Sequence, residues 1–130
     1  MMKKKKVIIL ASLQDQFSID SLKILLKNNL FDVLAIIVLK KNMRKNKKIN
    51  FLKNIKFFYE GFPHTNNKII RFILENNIKT CIAVGYQNRV RSSFIKLFEN
   101  GIYNIHPAVL PLNKGSHSTF YTIMNNNYIG

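Results

Sequence analysis

Two short, uninterrupted apolar runs, residues 7–11 (VIILA) and 33–39 (VLAIIVL), constrain this chain more than any other feature. Both are rich in β-branched residues and neither alternates with polar positions, the pattern of strands buried on both faces. Between them Ile19, Leu22, Leu25 and Leu26 recur on one helical face, with Ser18 as the expected N-cap. A second helical pattern, Ile69, Ile70, Ile73 and Leu74, follows Asn66 and Asn67 and leads into a third strand at residues 80–84. Ser92 and Ser93 offer a cap for a third helix bearing Phe94, Leu97 and Phe98, and Gly101 stops it before a strand at residues 102–105.

Strands alternating with helices imply an α/β fold: an open, mostly parallel, Rossmann-like sheet with helices on both faces. Residues 51–65 (FLKNIKFFYEGFPHT) resist assignment, although Gly61 and Pro63 argue for a turn. Their aromatics, Phe51, Phe57, Phe58, Tyr59 and Phe62, are expected to pack against the sheet rather than to stack bases.

A chain of 130 residues with 47% hydrophobic residues can bury the core of one domain. The lone Cys81 sits in an apolar run, so it reads as strand filling, and a reducing cytoplasm is the expected compartment. Residues 3–6 (KKKK) before VIILASL imitate a signal peptide, but the apolar run is brief and Gln14, Asp15 and Gln16 interrupt it. A first strand is the expected reading. No run approaches the roughly 20 apolar residues that span a bilayer, so no membrane partner is expected.

The net charge of +15 is compatible with a polyanionic partner. Lys, Asn, Ile and Phe are abundant together, however, as expected of a coding sequence biased toward A and T, and residues 40–48 (KKNMRKNKK) read as a solvated loop. Nucleic acid is therefore not the expected partner, and a basic RNA-binding module without catalysis is the competing class. The chain has no CxxC, HExxH, GxxxxGK[ST] or credible GxGxxG, and His64, His106 and His117 are too scattered to argue for zinc, so no metal is expected.

The segment from Asn104 to Gly115, NIHPAVLPLNKG, carries chemistry. In extended backbone residues two apart face the same side, so the Asn104 amide and the His106 imidazole converge, and Pro107 helps to end the strand. An amide donor beside a protonatable imidazole suits the oxyanion of an acyl-type transfer.

This segment resembles the signature of the folate-dependent formyltransferases, Asn-x-His-Pro-(small)-x-Leu-Pro-x-x-(Arg/Lys)-Gly, which it fits without a gap. That family includes the glycinamide ribonucleotide, methionyl-tRNA and sugar-nucleotide N-formyltransferases. Upstream, IAVGYQNRVRSSFIKLF resembles the family's strand and Gly-aromatic loop that receives the folate, and downstream GSHSTFYTIMNNNYIG resembles its next helix. The resemblance implies 10-formyltetrahydrofolate as formyl donor and an amine as acceptor, with Asn104 and His106 catalytic. Gly85, Tyr86, Asn88 and Val90 would form the donor pocket, and Asn113, Lys114, Gly115 and His117 would meet the acceptor. Gln87, Asn88 and Arg89 are more polar than is usual there.

Asn113-Lys114-Gly115 is similar to the Asn-Arg-Gly of the sugar-nucleotide enzymes, so a nucleotide-linked amino sugar is the expected acceptor. Glycinamide ribonucleotide and initiator tRNA follow in that order, and a homodimer is an expected assembly. The family carries an essential Asp downstream of the His, whereas no acidic residue here follows Glu99. Residues 1–130 are thus expected to be the N-terminal catalytic domain of a C-terminally truncated member, with an incomplete sheet and reduced activity.

Overall fold

The apolar runs become neighbouring strands of one sheet in the computed structural model, which describes residues 2–39, 47–106 and 124. In chain order the elements are β1 (Lys5–Ala11), α1 (Gln16–Lys27), β2 (Phe31–Val38), β3 (Lys56–Tyr59), α2 (Asn67–Glu75), β4 (Thr80–Val84), α3 (Ser92–Ile95) and β5 (Ile102–Ile105). Short 3-10 turns lie at Lys47–Leu52 and Pro63–Thr65. The five strands run in the order β3-β2-β1-β4-β5, and every neighbouring pair is parallel.

Strand alternation divides the interior in two. Val7, Ile9 and Ala11 of β1 join Leu22 and Leu25 of α1 on one face, with Ile36, Val38, Ile82 and Val84. Ile8 and Leu10 join Ile69 and Ile73 of α2 and Phe94 of α3 on the other, with Ala35, Ile37, Cys81 and Ala83. All five residues from Val7 to Ala11 are fully buried, which is why this run carries no polar position and lies at the centre of the sheet. Each Ile or Leu buried there contributes roughly 1.5–3 kcal/mol relative to exposure.

Some sequence expectations needed correction. β1 and β2 begin two residues earlier than the apolar runs, because Lys5 and Lys6 pair through their backbones with Phe31 and Asp32 while their side chains stay exposed. The unassigned stretch contains β3, an edge strand whose adjacent aromatics take opposite faces, Phe57 on the α1 side and Phe58 on the α2 side. The N-cap of α1 is Asp15 and not Ser18: its carboxylate accepts the Ser18 amide, which places Ser18 inside the first turn. The α3 N-cap is Arg91, with no side-chain cap bond, rather than Ser92 or Ser93.

The chain proceeds outward from β1 through β2 to β3, then returns to β4 on the opposite side of β1. Connections therefore diverge between β1 and β4. The crevice at the carboxyl ends of two such strands is where open α/β sheets bind ligands.

Candidate functional site at the carboxyl edge of the sheet

The β1–α1 loop enters this crevice under strain. Leu13 takes a φ of 58° with its side chain buried, a conformation that costs a residue with a Cβ about 1–3 kcal/mol. The turn brings Ser12 and Asp15 together. Ser12 Oγ donates to Asp15 Oδ2 at 3.2 Å, the Ser18 amide donates to Asp15 Oδ1 at 2.8 Å, and Ser18 Oγ lies 3.1 Å from Asp15 Oδ2. The same hydroxyl lies 3.3 Å from the Val84 carbonyl, so it ties α1 to the end of β4.

Gly85 follows with a φ of 61°. A Cβ at this position would run into Ser18 Oγ and also meet Asp15 Oδ2, so glycine is required both by its dihedral and by the close approach of α1. Tyr86 packs on the α2-side cluster, and its hydroxyl is buried without a hydrogen-bond partner. Burial first, then the charges of Glu60 and Cys81, push the phenol up to about 12, so it stays protonated at neutral pH. Asn88 Nδ2 donates to the Gly61 carbonyl at 3.0 Å and fastens this loop to the one after β3, and Val90 packs on the α2-side cluster.

β5 lies beside β4, with Asn104 level with Ala83 and Ile105 level with Val84. Ile102 packs on the α2-side cluster and Ile105 on the α1 side. Alternation therefore assigns Asn104, and His106 one residue past the strand, to the face of Ile102. Asn104 is exposed and His106 half-buried. The fold thus gathers Gly85, Tyr86, Asn88 and Val90 after β4, and Asn104 and His106 at the end of β5, along the carboxyl edges of two adjacent strands. Asn113, Lys114, Gly115 and His117 lie outside the described residues.

Solved structures share this arrangement. Phosphoribosylglycinamide formyltransferase from Bacillus halodurans superposes with a TM-score of 0.68 at 24% identity, covering 94% of this chain and 66% of that one. The enzyme of the same name from Anaplasma phagocytophilum gives 0.71 at 17% identity, with 95% and 59% covered. A formyltetrahydrofolate deformylase from Pseudomonas syringae pv. tomato gives 0.67 at 15% identity, with 95% and 42% covered. The fold is that of the folate-dependent formyltransferase N-terminal domain. No family model and no curated protein matches the sequence. The chain spans about two thirds or less of the length of these three formyltransferase-fold proteins.

Sequence reasoning missed the Ser12, Asp15 and Ser18 cluster of this formyltransferase fold. The available signal was a Ser and an Asp immediately after an apolar run that precedes a helix, with the next Ser at the N3 position. Among the described residues, no helix is long and apolar enough to cross a membrane.

Proposed function

We propose that the chain is a formyltransferase N-terminal catalytic domain that moves a formyl group from 10-formyltetrahydrofolate to the primary amine of a small molecule. The observation that carries this reading is the placement of Asn104 and His106 at the carboxyl end of β5, directly beside the loop that follows β4. The solved neighbours with formyl-folate chemistry in their names support it. In this reaction the amine nitrogen attacks the formyl carbon and the bond from that carbon to folate N10 breaks. The nitrogen loses a proton and N10 gains one.

Asn104 donates its amide N–H to the oxyanion of the tetrahedral intermediate, and His106 stabilises that charge or relays the proton from the attacking nitrogen. Gly85, Tyr86, Asn88 and Val90 line the donor's place. The protonated Tyr86 phenol acts there as a hydrogen-bond donor. Asn113, Lys114, Gly115 and His117 meet the acceptor.

Two acceptors compete. The Asn-Lys-Gly sequence favours a nucleotide-linked amino sugar, whereas the neighbours from Bacillus halodurans and Anaplasma phagocytophilum are named for phosphoribosylglycinamide. Formylation of each amine by the purified chain, read as loss of 10-formyltetrahydrofolate, separates the two. Transfer to either amine supports the reading; transfer to neither removes it.

A further inference from the structure

The end of α1 that meets the crevice between β1 and β4 is where an open α/β sheet ordinarily receives a phosphate, because free helix N–H groups and the helix dipole both favour an anion there. In this chain that position is taken. The Asp15 carboxylate accepts the Ser18 amide on one oxygen, and its other oxygen receives the Ser12 hydroxyl, with Ser18 Oγ within bonding distance of it. The Gly85 backbone closes on the same carboxylate, so the group is held from three sides.

We infer that Asp15 is a specificity-determining residue that excludes phosphate from the α1 end of the crevice, so that the acceptor amine presents a neutral or cationic group there. The inference rests on the proposed formyl transfer for its meaning and narrows the acceptor. It acts in two ways. A phosphate oxygen approaching α1 finds the Ser18 N–H already engaged, and it meets a like charge that cannot swing aside without giving up its contacts with Ser12 and Ser18. Like charges brought together in this way are how sites reject the wrong ligand. An amine bearing a terminal phosphomonoester, as the name phosphoribosylglycinamide describes, then cannot seat that group against α1.

The test is a titration of the full chain with inorganic phosphate, and separately with ribose 5-phosphate, followed by the backbone amide resonances of Phe17, Ser18 and Ile19. The wild-type resonances should show no saturable shift. Asp15→Gly, which frees the amides and removes the charge, should bind phosphate at these resonances at least about tenfold more tightly than wild type, as expected from loss of a like-charge contact. Asp15→Ser keeps a capping oxygen without the charge, and it should show the same gain if the glycine variant folds poorly. Saturable wild-type shifts, or no gain in either variant, would overturn the inference. Because the titration reads phosphate whether or not formyl is transferred, its failure is distinguishable from failure of the proposed reaction.

Discussion

Gly85 and Ser18 occupy each other's van der Waals margin: the serine hydroxyl stands where a Cβ on residue 85 would be, and Gly85 has a φ of 61°. This contact locks α1 against the end of β4 and sets the floor of the crevice. Gly85→Ala should destabilise the protein by about 2–4 kcal/mol, combining the dihedral cost with the clash. In the Ser18→Ala background the same substitution should cost less, with a coupling of about 0.5–3 kcal/mol in a double-mutant cycle. Denaturant unfolding measures both; strict additivity would show that the two residues do not touch.

Cys81 and Tyr86 predict the alkaline limit of stability. Burial raises both groups, the thiol beyond the usual range and the phenol to about 12. In each case the unfolded chain loses its proton first, so their contribution is fully present below the unfolded pKa values, about 8.5 and 10, and is lost as pH rises toward the folded ones. Thermal unfolding should therefore decline in steps above about pH 8.5. Tyr86→Phe should remove the component between about pH 10 and 12.

The same burial makes the Cys81 thiol unreactive in the native state. Labelling by a disulfide reagent at neutral pH should be slow and should accelerate with denaturant, since only opened molecules expose the sulfur. Immediate stoichiometric labelling of the folded protein would contradict the buried position of β4.

Phe94 tests the α2 side of the core. It is fully buried and sits edge-on to Phe98, with ring centroids 5.2 Å apart. Phe94→Ala should cost about 3–5 kcal/mol through lost burial and the cavity left behind. A change below about 1 kcal/mol would mean that α3 is not part of the cooperative core.

The central strands were legible because residues 7–11 and 80–84 are buried on both faces, which leaves an uninterrupted apolar signature. β3 was not, because Lys56 to Tyr59 is a four-residue edge strand with aromatics facing both ways, and such a pattern matches neither a strand period nor a helix period. Asn104 and His106 were legible as a pair from their spacing. The role of Asp15 was not, because whether Ser18 or Asp15 caps α1 depends on where the turn at Leu13 releases the chain, and that turn rests on a positive φ at a leucine, which no propensity favours.

The most direct test of the account is formyl transfer itself. Purified wild-type chain, Asn104→Ala and His106→Ala are compared with 10-formyltetrahydrofolate and a panel of amines that includes phosphoribosylglycinamide and nucleotide-linked amino sugars. Asn104 is exposed on the edge of β5, so its truncation should leave the fold intact by circular dichroism. The account predicts transfer by the wild type above the uncatalysed rate, and a loss of at least about 100-fold in each variant through missing charge stabilisation in the transition state. Absence of wild-type transfer to every amine, or rates in both variants within about twofold of wild type, would contradict it.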